Sequence, residues 1–228
     1  MDKYFIFFND TTNLDVNLFI VDRPPKPSPV MEYEKINVPH GKTLYKELGY
    51  SDIEITISFN FLSKDSWDHD FRRIKKWLLS KGNNKLKFSD DLEYYYKVNT
   101  VTIDTPERVL KVLGKFDVTF TCDPYVYVDT DEIELSTVLY NDYLLSKPVY
   151  RIVGEGYLTL KINNKTIKAN VGQELIINTE KGLCYRQGIT NNVALEGRYE
   201  DMFLLEGNNT FSWSNGFKIY LLPNWRCL

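Results

Sequence analysis

The stretch Lys115-Phe116-Asp117-Val118-Thr119-Phe120-Thr121-Cys122-Asp123-Pro124-Tyr125-Val126-Tyr127 divides the chain into two halves of different character. Its apolar residues alternate with polar ones, which predicts a half-buried β-strand with Phe116, Val118 and Phe120 on the buried face. The Asp123-Pro124 step is expected to end this strand, because proline has no amide hydrogen to donate to a neighbouring strand. We therefore expect the last strand of a first domain here, and a second domain beyond it.

The composition is that of a folded, β-rich protein. The 228 residues exceed one average domain and suit two modest ones, and 14% of them are aromatic, which favours strands and protein interfaces. A net charge of −3 gives no general attraction to nucleic acid or anionic lipid. The apolar run Tyr4–Phe8 is far shorter than the roughly 20 residues that cross a bilayer, and it lacks the features of a signal peptide. We expect no nucleic acid partner, no membrane insertion, and folding in a cytoplasm.

Residues 1–128 are predicted to form an α+β domain. The segment Ile53–Phe59 alternates cleanly and predicts a strand with one face in a core. Shorter strands are expected before and after it, whereas Leu44–Tyr50 is expected to be an irregular crossing segment. Because one helical pattern interrupts these strands, the domain is predicted to be a sheet layered with one helix.

The helix is predicted from an apolar stripe with helical spacing, formed by Trp67, Phe71, Ile74 and Leu78. Ser63 or Asp65 is expected to cap its start, and Gly82 to close its end. A basic cluster lies off this stripe and is expected to be a solvated face, with contact to an acidic neighbour as the alternative; its members are Arg72, Arg73, Lys75 and Lys76.

The segment Arg23–Pro29 contains four prolines in seven residues, so it cannot join the interior of a sheet. An extended, polyproline-like connector is the simpler interpretation. A peptide that docks on a neighbouring subunit is the alternative.

Residues 129–148 are predicted to be a linker that opens with a solvated acidic run, Asp129, Asp131, Glu132 and Glu134. This run lacks the glycine and glutamate spacing of an EF-hand loop. From residue 149 to 228 short apolar strands alternate with turn signals such as Asn163-Asn164 and Asn215-Gly216. That pattern predicts an all-β sandwich domain.

The sequence offers little catalytic or metal-binding chemistry, and we expect no catalytic, cofactor or metal site. The cysteines Cys122, Cys184 and Cys227 lie far apart without a CxxC pair, and His40 and His69 have no nucleophile nearby. No phosphate-binding loop, zinc-protease motif or nucleophile elbow occurs in the chain. We therefore expect a protein that is not an enzyme.

Two further functions remain open for the second half. Paired carboxylates in a β-sandwich can hydrolyse glycosides, and the candidates are Glu174, Glu196, Glu200, Asp201 and Glu206, although turn positions explain them better. A sugar-binding face could use Trp213, Tyr185 or Tyr199 for ring stacking, although Trp213 fits a core position within its strand.

A set of residues in fixed order carries a resemblance to a known family. They are Phe120, Cys122, Asp123, Pro124 and Tyr125 at the junction, then Gly156, Leu158, Leu160, Ile162 and Asn163, then Asn209, Ser212 and Trp213, and finally Pro223, Trp225 and Arg226. In this order the chain resembles the distal tail (Dit) proteins of long-tailed, siphovirus-type phages that infect Gram-positive bacteria. The resemblance covers nearly the whole chain.

The resemblance implies a virion structural protein of the tail tip. It implies an N-terminal belt domain that closes into a homo-hexameric ring, and an outward-facing C-terminal sandwich of galectin-like or carbohydrate-module-like form. The implied partners are the tail tube protein, the tail-associated lysin or baseplate hub protein, and receptor-binding or fibre proteins. The alternative function is a non-catalytic carbohydrate-binding module for host-surface adsorption, and a glycoside-cleaving enzyme is the further alternative.

The chain departs from the family pattern in one segment. Relatives carry prolines before the Ser-Trp pair, where this chain reads Arg198-Tyr199-Glu200-Asp201-Met202-Phe203-Leu204-Leu205-Glu206-Gly207. The second half is also too short for the inserted sugar-binding module or long arm of some relatives. Direct binding of host sugars is less expected for that reason.

Overall fold

A computed structural model describes residues 3–63 and 66–228 of the chain. They form two compact units, residues 3–126 with Leu228 and residues 127–227. Each unit has its own apolar core.

The first unit is a sheet with one α-helix among its described residues. Its elements are β1 (Ile6–Phe8), β2 (Thr11–Thr12), β3 (Leu18–Ile20), β4 (Met31–Ile36), β5 (Leu44–Tyr50), β6 (Ile53–Leu62), α1 (Trp67–Leu78), β7 (Lys85–Phe88), β8 (Asp91–Ile103), β9 (Glu107–Arg108) and β10 (Leu113–Val128). The main strand order is β2-β1-β7-β8-β10-β6-β3. Ile53, Ile55, Ile57 and Phe59 of β6 are buried, so the core face predicted for this strand is confirmed.

Strand β10 continues through the Asp123-Pro124 step to Val128, so the prediction that this step ends the strand is wrong. The pairing of β10 with β6 ends at Cys122, which lies opposite Ile53. Pro124 lies beyond that last pair, so its missing amide hydrogen removes no bond to β6. The predicted buried face is correct, because Phe116, Val118 and Phe120 are all buried.

The helix α1 packs its predicted stripe on the sheet, and both of its ends differ from expectation. Its N-cap residue is Ser66, while Ser63 donates a hydrogen bond to Asp70 at 2.9 Å and the alternative cap Asp65 lies outside the described residues. The helix ends before Gly82, with Leu79 as its C-cap. Gly82 instead allows a close approach, because a Cβ at this position would lie 2.4 Å from Cγ of Asn9.

Residues 44–50 form a regular strand, so the prediction of an irregular segment is wrong. Strand β5 pairs with β4 from Met31 opposite Tyr50 to Ile36 opposite Leu44, with one shift of register between Glu32 and Tyr33. Neither strand has a buried face, and the apolar alternation that reveals a half-buried strand is therefore missing from the sequence.

The second unit is all β apart from two short 3-10 turns, at Asn192–Ala194 and Tyr199–Met202. Its elements are β11 (Ile133–Glu134), β12 (Val138–Asn141), β13 (Val149–Ile162), β14 (Lys165–Asn178), β15 (Leu183–Arg186), β16 (Ile189–Thr190), β17 (Leu195–Glu196), β18 (Gly207–Trp213), β19 (Lys218–Leu222) and β20 (Arg226–Cys227). The sheet runs in the order β11-β19-β13-β14-β15-β16, and β18 pairs with both β12 and β13.

The segment 129–148, predicted as a linker, contributes two strands to this unit. Strand β11 pairs with β19, and β12 pairs with β18 from Val138 opposite Thr210 to Asn141 opposite Gly207. Their partners lie about 70 to 90 residues further along the chain, so no local pattern in 129–148 predicts the pairing.

Candidate assembly surfaces

The strands β4 and β5 form a separate two-stranded hairpin, which we call the arm. Its cross-strand neighbours include Tyr33 and Tyr45, whose ring centroids lie 6.3 Å apart at nearly right angles. On the opposite face Lys46 contacts Glu34 at 3.4 Å. The turn is closed by a hydrogen bond from the Gly41 amide to the Val38 carbonyl at 3.0 Å, and His40 adopts a left-handed backbone conformation there. The arm is therefore an ordered hairpin.

The arm exposes an unusual amount of apolar surface. Tyr45 is 60% exposed, and further large side chains are exposed on both faces: Tyr33, Ile36, Val38, Leu44 and Leu48. None of them belongs to either apolar core. A two-stranded hairpin without a covered face is only marginally stable in water, so this surface is suited to covering by a partner.

The base of the arm is fixed to the first unit. The Ser51 amide donates to the Val30 carbonyl at 2.9 Å, and the Tyr50 ring packs edge-on against Tyr125 at 6.2 Å. The first contact closes the two ends of the arm on each other, and the second joins its base to β10. The arm thus presents its exposed surface from a fixed root.

The proline-rich segment before the arm lies against its own unit. Arg23 lies over the Tyr4 ring at 5.0 Å and contacts Asp90 at 3.7 Å, while Lys26 contacts Asp91 at 3.4 Å. These contacts fit the connector interpretation better than that of a docking peptide. The segment thus connects β3 to the base of the arm.

The histidines and carboxylates considered as catalytic candidates are dispersed. His40 lies at the end of the arm, and His69 is exposed, 4.0 Å from Asp70. Three of the carboxylates have a neighbouring cation: Glu174 contacts Arg151 at 3.5 Å, Glu200 contacts Arg198 at 3.4 Å and Asp201 contacts Lys165 at 3.9 Å. The described residues contain no group of three or more His, Cys, Asp and Glu that could hold a metal ion.

The aromatic residues considered for sugar stacking do not form an open platform. Trp213 is half-buried, donates to the Phe217 carbonyl at 3.2 Å and packs against the second core. The Tyr199 hydroxyl lies 3.4 Å from the Cys184 thiol and 3.3 Å from Asn192, and burial raises its pKa. Tyr185 is half-buried in β15.

Two of the three cysteine thiols, those of Cys122 and Cys184, are buried. Cys122 lies in the first core, where burial raises its pKa to about 12, with smaller contributions from Asp123 and Asp52. Burial also raises the pKa of Cys184 in the second core. Both groups are therefore protonated near neutral pH, which disfavours a nucleophilic role.

The acidic run at the start of the second unit has a structural contact. Glu132 accepts from Nε of Arg151 at 3.0 Å, and the same guanidinium lies 4.2 Å from the centre of the Tyr220 ring. Arg151 also contacts Glu174, so it connects three neighbouring elements of the sheet. This cluster fastens β11 to the sheet surface.

Residues that carry the family resemblance build the cores and turns of the two units. Phe120, Cys122, Leu158, Leu160 and Ile162 are buried core residues. Asn209 is fully buried: its carbonyl accepts from the Leu205 amide at 2.9 Å, and its amide donates to the Leu205 carbonyl at 2.8 Å. Asn163 turns the chain between β13 and β14 and accepts from the Thr210 amide at 2.9 Å.

The arm was not predicted as a hairpin, although the sequence carries a signal for one. The strand-like segment 33–39 and the apolar residues of 44–50 flank a turn signal at His40-Gly41, and that combination predicts a hairpin without requiring a buried face. No described helix is long and apolar enough to span a membrane.

Comparisons with known proteins agree with this architecture. The family model for the phage tail protein N-terminal domain matches residues 2–124. The structure is similar to that of the SPP1 Dit protein (gp 19.1), described as a paradigm of the hub adsorption apparatus of phages that infect Gram-positive bacteria. The TM-score is 0.70 at 14% sequence identity, and all of both chains is covered.

Two phage baseplate structures are also similar. A chain of the phage P2 baseplate in its activated conformation with calcium matches with a TM-score of 0.57 at 10% identity, covering 99% of this chain and 98% of that one. The phage p2 baseplate with strontium gives a TM-score of 0.55 at 10% identity, covering 96% and 97%. A search of curated sequences gave no match.

At these identities the structural likeness shows a shared fold, and the family model covers more than half of the sequence. The predicted resemblance to distal tail proteins is confirmed by both findings. The chain belongs to the family of phage tail proteins defined by this N-terminal domain.

Proposed function

We propose that this chain is a structural hub protein of the phage tail tip. Six copies close into a ring through the first unit and connect the tail tube to the baseplate hub protein and to fibre or receptor-binding proteins. The second unit acts as a non-catalytic, galectin-like module that faces outward. The protein is made in the host cytoplasm and functions in the virion.

The observation that carries this proposal is the exposed arm. A hairpin that buries neither face gains little stability from its own ladder, because water competes for the same hydrogen bonds. Its exposed tyrosines and leucines are residues that supply large contact areas at interfaces. Docking on a partner would therefore stabilise the arm and hold the partner.

Its charges favour another copy of this chain as that partner. The arm mixes carboxylates and amines, namely Glu32, Glu34, Lys35, Lys46 and Glu47, and so carries no strong charge of one sign. An arm that reaches from each copy to the next makes a head-to-tail contact. Such contacts produce a closed ring when the rotation from one copy to the next is a whole fraction of a full turn, such as one sixth for six copies.

The test is the mass in solution by light scattering at several concentrations. We expect assemblies that grow toward six times 26.8 kDa, and we expect a double variant, Tyr33→Ser with Tyr45→Ser, to stay monomeric while remaining folded. Val193→Ser, at a residue 94% exposed in the second unit, is the matched control and should assemble normally. A wild-type protein that is monomeric at every concentration would contradict the proposal, as would an arm variant that assembles like wild type.

A further inference from the structure

The turn between β9 and β10, residues 109–112, carries apolar side chains, and we call this turn the knob. Strands β9 and β10 pair from Arg108 opposite Gly114, and the backbone amides and carbonyls of Leu110 and Leu113 bond reciprocally at 3.3 Å around the turn. The Ser63 amide donates to the Val112 carbonyl at 2.7 Å, which holds the turn against the end of β6. The knob is therefore a fixed projection.

Four large apolar side chains are exposed at the knob: Leu62, Val109, Leu110 and Val112. Leu110 is the most exposed of them, at 62%. Single exposed apolar residues are ordinary, but a cluster within one turn and the adjoining strand end marks an interaction surface.

The apolar surface continues onto the helix. Trp67 lies 5.3 Å from Phe71 and beneath the Arg108 guanidinium, also at 5.3 Å. Beside them a cavity of about 360 Å³ is lined by residues that include Phe71, Lys75, Leu79 and Pro106. The knob and this cavity together form one candidate docking surface.

The charge around this surface is mainly positive. Exposed cations lie on the outer face of α1 and on the knob: Arg72, Arg73, Lys75, Lys76, Arg108 and Lys111. The carboxylates on and beside these elements are fewer, namely Asp68, Asp70, Asp104 and Glu107. A partner with an excess of carboxylates around apolar residues fits this pattern.

Two cavities of the first unit would be poor partners for it, because both contain cations. One apolar cavity of this unit, lined by Phe7 and Leu92, contains two lysines and one aspartate. Another, lined by Phe8, Leu78 and Val98, contains Lys81. Either would place cations against the cations of the knob.

We propose that the knob and the adjoining face of α1 bind an acidic, apolar segment of a different tail protein. This inference rests on the proposed function, because the partner exists only in the tail assembly. It assigns separate surfaces to two tasks: the arm joins identical copies, and the knob recognises an unlike protein.

The test is site-specific photocrosslinking in assembled tails. Leu110→p-benzoylphenylalanine provides the probe, and Val193→p-benzoylphenylalanine is the control at a more exposed position in the second unit. We expect Leu110 to crosslink to a peptide of another tail protein with net negative charge. Combining it with Lys111→Glu and Lys75→Glu should lower the yield roughly tenfold, because like charges would then face each other.

Three results would overturn the proposal: a crosslink to a second copy of this chain, a crosslink to lipid, or a yield that matches the control or ignores the charge reversals. The mass of the Leu110→Ser protein in solution tells whether the knob also takes part in ring formation, so it distinguishes a failure of this proposal from a failure of the proposed ring. A Leu110→Ser protein that forms the same assemblies as wild type is the expected result, and one that stays monomeric would contradict the separation of the two surfaces.

Discussion

The arm and the β13–β14 hairpin are both antiparallel pairs closed by a turn, and they differ in what lies beneath them. The β13–β14 hairpin pairs over its full length from Val149 opposite Asn178 to Ile162 opposite Lys165. One of its faces is buried, with Leu158, Leu160 and Leu175 in the second core. The arm is also an antiparallel ladder, with one shift of register, but it has no buried face.

The comparison shows that two strands can pair without contributing much to the stability of the fold. Backbone hydrogen bonds contribute little net free energy, because the unfolded chain bonds to water instead. Burial of apolar side chains supplies most of the stabilisation. The β13–β14 hairpin is thus stable within its own unit, whereas the arm would gain comparable burial only in the proposed contact with a partner.

The largest expected contrast comes from removing one leucine in each hairpin. Leu175→Ala in β14 should lower the free energy of unfolding by about 2–5 kcal/mol, because it leaves a cavity in the core. Leu48→Ala in the arm should change it by less than about 0.5 kcal/mol in dilute protein. Urea unfolding of both variants is the measurement, and equal losses would remove the distinction between the hairpins.

A smaller effect is expected at the asparagine that supports the second unit. Asn209→Ala should cost about 1–3 kcal/mol, since it leaves the Leu205 amide without its side-chain partner, while the Leu205 carbonyl keeps the bond that it accepts from Asn141. Asn208→Ala, at the exposed neighbouring position of the same strand, is the matched control. Thermal unfolding should separate the two, and a harmless Asn209→Ala would show that water replaces the side chain.

Tyr150 links the stability of the β13–β14 hairpin to pH. It is fully buried, its hydroxyl donates to the Met202 carbonyl at 2.8 Å, and burial raises its pKa above the ordinary value near 10. The neutral phenol therefore contributes its full stability below pH 10, and this is lost as the pH rises above 10, where the unfolded chain ionises first.

Tyr150→Phe should accordingly cost about 1 kcal/mol at pH 7 and reduce the loss of stability between pH 10 and pH 11. Urea unfolding at these pH values is the measurement, with exposed Tyr157→Phe of the same hairpin as control. An undiminished alkaline loss in Tyr150→Phe would assign the effect to other groups.

The smallest contrast concerns ion pairs. Glu132→Gln removes the pairing of Glu132 with the partly buried Arg151 and should cost about 0.5–1 kcal/mol, while Glu34→Gln in the arm should have no measurable effect. Unfolding in low and high salt would test this. A loss at Glu34 as large as that at Glu132 would indicate that the arm is already packed within one copy.

Local patterns predicted the elements with a buried face. The strand at Ile53–Phe59, the stripe of α1 and the turn at Asn163-Asn164 all follow from periodicity and turn chemistry. Strand β12 could not be predicted in that way, because it depends on a distant partner strand. Strand β5 of the arm lacks the alternation of a half-buried strand, so its only local signal is the turn at His40-Gly41. The extension of β10 through Pro124 depends on where its pairing with β6 stops.

The candidate assembly surfaces also differ from the cores in how far they could be predicted from the sequence. The family resemblance could be read from residues that build the two cores, such as Phe120 and Leu160. The surfaces proposed for assembly consist of exposed residues such as Tyr45 and Leu110, which no core requirement constrains. Their role depends on contacts between chains, and local sequence patterns do not reveal such contacts.

Hydrogen–deuterium exchange of the arm amides, followed as a function of protein concentration, tests the central claim most directly. If the arm joins copies of this chain, amides of residues 31–36 and 44–50 should exchange fast in dilute protein and become protected together as the mass rises. Amides of β13 and β14 should be protected at every concentration. An arm that still exchanges fast in the assembled protein would contradict the account.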